Sequence, residues 1–587
     1  MNEVPTKTEY CLQGIGCAPG VARGKAFVFL QKNVELPCYK LDEKSISCEI
    51  ERFKIAVSAT HEQIARLSDE VRSRAGASEA EIFDAHLLVL DDPAVIGETI
   101  KAIENSGINA EHCFNSIVNR YIEFFSGLDD SYLKERVADI RDVSQRVLKN
   151  LLGLTQNSFP ERFDNKIIVA EELTPSETIA FDKSHVLAML TDVGNHTSHA
   201  AIMARSLGIP AVVGLRHATL RIAQDDDILV DGDKGLVYIN PCARTLDAYE
   251  QIAMRRSRLE TLIAEENFKA DITADGARFH IEANISGKEN LESMRKMRVS
   301  DVGLFRSEGV FLRSDRFPPE EVQFEEYSQV VNSVPAENSV VIRTLDIGGD
   351  KHISSALLTP EENPFMGFRA IRVCLEFRDI FKDQLRAILR TSARGNVKIM
   401  FPMISSLSEI LAAKDILEEA KSELRARGLP FDEDIPVGSM IEIPSAVALA
   451  EDLAEEVDFF SIGTNDLTQY MLAVDRGNEK ISHLYDSYHP AVIRAIAMTI
   501  RAAHRAKIPC AVCGEMAGEP NFAPLLVGLG ADALSMTANS APKIRYILRH
   551  TTLSAMRKLA RDVIADANPR AIQERLTLFI NEILPKG

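Results

Sequence analysis

The stretch GNHTSHAAIMARSLGIPAVVG at 194–214 sets His196 and His199 three residues apart, beside a run of hydroxyl and amide side chains. An imidazole can ligate metal, move a proton or carry a transferred group. The spacing could place both on one helical face for zinc, but the metal reading is the weaker one, because no His-Glu-x-x-His sequence and no nearby third ligand completes the pair. Ala200, Ile202, Met203 and Leu207 recur at helical spacing, Gly208 and Pro210 stop the pattern, and Thr197 is the expected N-cap. That layout predicts His199 in the first helical turn. There, unpaired backbone N–H groups and the helix dipole favour an anion, such as a phosphoryl group on the ring. A histidine of the capping region with no chemistry fits this stretch equally well.

A second set of residues lies in the other half of the chain. Arg306, Arg343, Arg369 and Arg476 offer planar forks that match carboxylate and phosphate oxygens. Glu442 in MIEIPSA and Asp466 in GTNDLTQY add two carboxylates. One or two carboxylates with substrate phosphate oxygens is the usual way to hold Mg²⁺. These residue types together predict a small phosphorylated carboxylate as substrate. Paired carboxylates doing acid–base work, as in glycosidases, would give the arginines no part. In PCAVCGEMAG, Cys510 and Cys513 have redox or zinc spacing, but residues three apart on a strand face opposite ways. Cys513 is better read as a single thiol, protonated at neutral pH and able to donate that proton.

Such residues need elements to gather them. Eight β-rich runs, at 279–285, 301–307, 340–346, 397–403, 437–443, 458–464, 509–515 and 533–536, alternate with helical segments. The alternation predicts a (β/α)8 barrel over 271–587, whose functional residues belong at strand C-terminal ends. Arg306, Arg343, Glu442, Asn465, Asp466 and Cys513 all fall there. Arg369 sits in a long connection after the third strand, and Arg476 follows the sixth. Upstream, strand-like runs around the His199 helix predict a compact α/β unit over 1–40 and 155–242. Amphipathic helical stretches broken at Gly76, Pro93 and Gly107 predict a helical bundle over 41–154, inserted into that unit. A long charged helix at 243–270 is the expected linker. The fold class is therefore α/β multidomain.

Composition narrows the partners. The chain has 587 residues, room for several domains of roughly 100–200 residues each, and 45% of them are hydrophobic. A net charge of −19 argues against nucleic acid or an anionic membrane as partner. No apolar run reaches the roughly 20 residues that span a bilayer, and MNEVPTKTEY lacks a signal-peptide core. Nine cysteines, odd and scattered, make no disulfide framework. The expectation is a cytoplasmic protein.

Taken together, LTPSET (173–178), TSHAAIMARSLGIPAVVG (197–214), RTLDIGGDK (343–351), EENPFMGFRAIR (361–372), DFFSIGTNDLTQYMLAVDRGN (458–478) and CGEMAG (513–518) resemble Enzyme I of the bacterial phosphoenolpyruvate-dependent phosphotransferase system. The likeness runs over almost the whole chain. It implies that His199 is the phosphorylated histidine and that Thr178 orients its ring. Arg306, Arg343, Arg369, Arg476 and Asn465 would bind phosphoenolpyruvate, Glu442 and Asp466 would hold Mg²⁺, and Cys513 would protonate the enolate to pyruvate. The resemblance also implies docking of the phosphocarrier protein HPr on the helical bundle, where SYLKERVADIRDV (131–143) looks like part of that domain, and a homodimer through the barrel. His196 stands where the family usually has arginine and Asn195 where it has glycine, so those two roles stay open. FRSEGVF (305–311) departs from the family's Arg-Thr-Glu-Phe, which points to a reshaped loop after Arg306. The rival family, pyruvate phosphate dikinase and phosphoenolpyruvate synthase, needs a nucleotide-binding domain, and no Gly-rich nucleotide loop precedes the His199 unit.

Overall fold

The computed structural model describes residues 8–29, 36–74, 83, 86, 87, 90, 93–126, 131–153, 165–173, 186–194, 198–312, 317–348, 361, 363–476, 478 and 481–584. The chain forms two compact units, Met1–Met254 and Arg255–Gly587, and the helix Ala243–Glu266 runs across the division.

The first unit is built on a mixed eight-stranded sheet. Its strands are β1 (Tyr10–Gln13), β2 (Ile15–Ala18), β3 (Val21–Phe29), β4 (Lys166–Ala170), β5 (Val186–Thr191), β6 (Ala211–Val213), β7 (Asp227–Asp231) and β8 (Leu236–Ile239), in the order β1-β8-β7-β3-β4-β5-β6-β2. Strands β3 to β6 run parallel, and their middle residues Ile167, Ile168, Val169 and Leu190 are fully buried, as strands covered on both faces require. Between the adjacent strands β3 and β4 the chain makes the helices Ile46–Arg74, Pro93–Ser106, Ala110–Ser126 and Ser131–Leu151. The helical region is thus an insertion between two neighbouring strands. Phe53, Ile64, Ile103, Phe114, Val118 and Val147 form its core. Arg52 ties its helices together through Glu49 at 2.7 Å, Glu111 at 2.8 Å and the Leu151 carbonyl at 2.6 Å.

The second unit contains a closed barrel of eight parallel strands. They are β9 (Ile281–Ile285), β10 (Val302–Arg306), β11 (Val340–Arg343), β12 (Val397–Phe401), β13 (Val437–Ile441), β14 (Phe459–Ile462), β15 (Cys510–Val512) and β16 (Ala533–Met536), and β16 pairs back onto β9. Every predicted β-rich run holds one strand; the last matches its run, and the other seven are shorter by two to four residues, losing mainly the C-terminal residues that enter the mouth loops. Alternate residues divide between two cores. Ile342, Ile399 and Phe460 point to the helical ring, whereas Leu304, Val341, Met400, Met440, Phe459 and Cys513 fill the barrel interior.

Candidate functional site

Two sets of residues require a site, one in each unit. In the first, His199 is the first residue of the helix His199–Leu207. Ser198, with φ −60° and ψ 149°, is the N-cap, so the expectation of Thr197 is off by one residue. The helix ends at Gly208 in the left-handed conformation (φ +64°), whose N–H reaches back to the Ala204 and Arg205 carbonyls. Ala200 and Ala204 pack with Ile168, Met189 and Ala211 of the sheet, and Ala201 packs with Cys17 and Val213. Small side chains on this face let the helix lie close against β2 and β6. Met203 joins the core of the helical insertion. Thr178, Asn195, His196 and Thr197 lie outside the described residues, as does the His199 side chain.

In the second unit the predicted residues converge on the C-terminal mouth of the barrel. Arg306 closes β10 and Arg343 closes β11, and the two are register partners across the strands. Glu442 directly follows β13, Cys513 directly follows β15, and Asn465 and Asp466 occupy the first turn of the helix Thr464–Leu472 after β14. Arg369, placed by sequence only in a long connection, is 2% exposed and enters the same cluster. Arg343 Nη2 reaches Glu308 Oε1 at 2.6 Å and Asp346 Oδ2 at 2.9 Å. Arg369 Nη2 reaches Asp346 Oδ1 at 2.9 Å and lies 3.7 Å from Asp466 Oδ2. Arg476 Nη2 lies 3.8 Å from the other Asp466 oxygen. Arg306 has no ion pair among the described residues. The mouth thus holds a chain of charges that alternates in sign from Glu308 to Arg476, with Arg306 beside it and outside the chain.

Burial acts strongly on this chain. Burial opposes the charges on Arg343 and Arg369, but Asp346 overrides it for both, with Glu308 acting on Arg343 and Asp466 on Arg369, so both arginines stay charged. Glu442 goes the other way. Burial, then the fields of Asp466 and Asp346, push its carboxyl up to about 8, although Arg343 and the Met403 N–H at 2.7 Å oppose this. Asp466 Oδ1 is buried and accepts no hydrogen bond among the described residues. Crowded carboxylates with an orphaned oxygen are a donor set that fits a divalent cation. Among the described residues no group of three or more His, Cys, Asp or Glu side chains could hold a metal. Burial, followed by the Glu442 charge, pushes the Cys513 thiol up to about 11, so it carries its proton at neutral pH. The Cys510 side chain sits in the outer core, on the opposite side of the strand, and both cysteines are free thiols.

Asn465 is held by its neighbour across the mouth. Its amide donates to Glu515 Oε1 at 3.1 Å and accepts the Glu515 N–H at 3.0 Å. Sequence reasoning missed Glu308, Asp346 and Tyr470. Asp346 bridges the two buried arginines, and Tyr470 accepts from Arg369 at 3.1 Å while donating to the Phe365 carbonyl. The signal for Asp346 is its position three residues after Arg343 at a strand end. Tyr470 carries no such signal, because only the path of the 363–369 segment brings it to Arg369. Ser307 and Glu308, where the family pattern was expected to differ, are fully buried, and Ser307 accepts from Gln384 at 3.0 Å.

Three family models cover this chain: the N-terminal domain of PEP-utilising enzymes at 13–136, their mobile domain at 163–235 and their PEP-binding domain at 261–553. A phosphoenolpyruvate-protein phosphotransferase of Listeria monocytogenes is 41% identical over 97% of this chain and 99% of its own length. That of Geobacillus stearothermophilus is 42% identical over 93% and 94%. A solution structure of an Enzyme I protein, 38% identical, covers 41% of this chain and 97% of its own, with a TM-score of 0.36. With near-full-length identity of this order, and with basic and acidic side chains gathered at the mouth of the PEP-binding barrel, the chain belongs to the phosphoenolpyruvate-protein phosphotransferase family, enzymes of phosphoenolpyruvate-dependent phosphoryl transfer.

Proposed function

We propose that this chain moves the phosphoryl group of phosphoenolpyruvate to His199 and then to the phosphocarrier protein HPr, releasing pyruvate. The observation that carries the substrate half is the barrel mouth, where Arg306, Arg343, Arg369 and Arg476 meet Glu442 and Asp466. Arg306, free of any ion pair among the described residues, is available to an incoming anion at once. Arg343 and Arg369 are already fixed by Asp346, so their remaining N–H groups need no reordering to meet substrate oxygens. Arg476 and Asn465 complete the phosphate and carboxylate contacts. Glu442 and Asp466 would hold Mg²⁺, which supplies Lewis-acid stabilisation to the enolate and phosphate oxygens.

The phosphorus–oxygen bond to the enol oxygen breaks as a bond forms from phosphorus to an imidazole nitrogen of His199. The electron pair stays on the enol oxygen, leaving an enolate. Cys513 then gives its Sγ proton to the methylene carbon, which becomes the methyl of pyruvate, and the thiolate is reprotonated from water. Arginine and metal-bound carboxylates cannot perform that step, because the first does not release its proton and the second have none.

The domain roles follow the same reading. Residues 1–40 and 155–242 carry His199, with Thr178 orienting its ring, and 41–154 receive HPr. The helical stretch 243–270 joins them to 271–587, which takes the substrate and pairs with a second barrel in a homodimer. The cytoplasm suits these partners, and among the described residues no helix is long and apolar enough to cross a membrane. The full-length relatives favour this reading over a dikinase or synthase. Incubation with ³²P-labelled phosphoenolpyruvate and Mg²⁺ tests it. The wild type should take up label and pass it to HPr, His196→Ala should do the same, and His199→Ala or added chelator should prevent uptake. Label retained by His199→Ala overturns the assignment.

A further inference from the structure

A cavity of about 590 Å³ lies at the N-terminal face of the barrel, opposite the mouth that carries the arginines. That volume is ordinary for a small-molecule site. Its walls are the chain entering β9 (Asn267–Asp271), the helix Leu291–Met297 with its cap, the Ser333–Pro335 turn before β11, and Arg545 of the helix Ala541–Arg549.

The charged lining is one-sided. Lys269, Arg295, Arg298 and Arg545 are basic, and Asp271 alone is acidic. Asp271 is already neutralised by Arg545 at 3.1 Å and Arg549 at 2.8 Å, and Lys269 pairs with Glu266 at 2.8 Å. Arg295 and Arg298 have no carboxylate partner among the described residues. In a chain of net charge −19, these two exposed arginines give the cavity a local positive wall.

Arg298 is also held in an uncommon conformation. It caps the helix Leu291–Met297 at φ +56°, a left-handed position that usually takes glycine. Its guanidinium lies 4.2 Å from the centroid of the Phe268 ring. Phe268 is 66% exposed, so this stack leaves ring surface open. Arg545, 4% exposed, holds both rims in place: it donates to Asn267 Oδ1 at 2.9 Å on one side, and to the Met297 and Arg298 carbonyls at 2.7 Å on the other. A buried arginine therefore fixes an aromatic ring and an unpaired cation side by side.

We propose that this cavity binds a small phosphate ester of a flat ring, of the nucleoside monophosphate class. The ring would stack on Phe268, and the phosphate would meet Arg295 and Arg298. The site lies on the face away from the proposed phosphoenolpyruvate contacts and uses none of them.

The chain contains no tryptophan, so Phe268→Trp in the full-length protein gives a single fluorophore at the cavity. Adenosine 5′-monophosphate, adenosine and inorganic phosphate are titrated separately, and calorimetry on the wild type repeats the measurement with the native ring. The monophosphate should bind saturably and more tightly than adenosine or phosphate alone. Arg298→Gly, which suits the left-handed cap, combined with Arg295→Gln should weaken it at least about 10-fold. That variant should still take label from phosphoenolpyruvate at the wild-type rate. The proposal is overturned by an absence of saturable binding up to about 10 mM in both measurements. Binding that survives the arginine substitutions, or inorganic phosphate binding as tightly as the monophosphate, overturns it equally.

Discussion

Replacing Cys513 by alanine removes one sulfur and one acidic proton from the barrel mouth, and the two losses differ in size. The side chain is 2% exposed and packs among Leu304, Val341, Met400, Met440 and Phe459. Loss of a group about the size of a methyl from such a core costs about 1 kcal/mol, which a folded barrel tolerates. The chemical loss is larger. Burial and the Glu442 charge hold the thiol at about 11, so at pH 8 only on the order of 0.1% is thiolate, against about 10% for an ordinary thiol near 9. The proton donor is therefore almost fully loaded through about pH 10. Losing a general acid typically slows a reaction by about 100-fold or more, equivalent to roughly 2.7 kcal/mol in the barrier. Steady-state pyruvate release should fall by that factor in Cys513→Ala, with the melting temperature only slightly lower. Labelling of His199 in a single turnover should persist, because that step precedes protonation. Running the reaction in D₂O and determining the configuration of the methyl group from chirally labelled substrate gives an independent readout. A variant that releases pyruvate within about 3-fold of wild type, with unchanged stereochemistry, refutes the reasoning and makes water or another group the acid.

Two further predictions concern the frame around that site. Burial raises the Glu320 carboxyl, but Arg427, Arg386 and Arg390 outweigh it and hold the group at about 2. A depressed carboxyl stabilises the fold above its unfolded value of about 4.5 and loses that contribution as pH falls through about 2. Solvent around Arg427 screens the full effect, leaving on the order of 1–2 kcal/mol. Denaturant unfolding should therefore show Glu320→Gln destabilised at pH 7 and close to wild type near pH 2; an equal difference at both pH values would show that the contact is packing alone. A Cβ added at Gly514 would overlap Thr464 Oγ1 and lie 2.6 Å from the Thr464 backbone nitrogen. Gly514→Ala should displace the start of the Thr464–Leu472 helix, cost about 1–3 kcal/mol in thermal unfolding, and impair turnover through Asn465 and Asp466. Wild-type stability and turnover together would disprove that close approach.

Much of this architecture was legible before any coordinates, for a physical reason. Each barrel strand is short and buried on both faces, so it appears as an apolar run with a polar break. The residues at such breaks, Arg306, Arg343, Glu442 and Cys513, announce the mouth on their own. The insertion between β3 and β4 was equally plain, because its hydrophobic period changes from that of strands to that of helices. Local chemistry also placed Cys510 and Cys513 on opposite faces, since alternation along a strand is a property of the backbone. What the sequence could not carry is convergence between distant segments. Arg369 has no strand end to mark it, and only the fold of its long connection brings it to Asp346 and Asp466. Asp346, Glu308 and Tyr470 matter because they bond to buried arginines that lie 3, 35 and 101 residues away. The same holds at the N-terminal face, where Arg545 meets Asn267 across 278 residues. Periodicity records which way a residue faces within its own element. Which charges share a low-dielectric space, and hence that Glu442 is pushed up to about 8 while the neighbouring arginines stay charged, is settled only when the barrel closes.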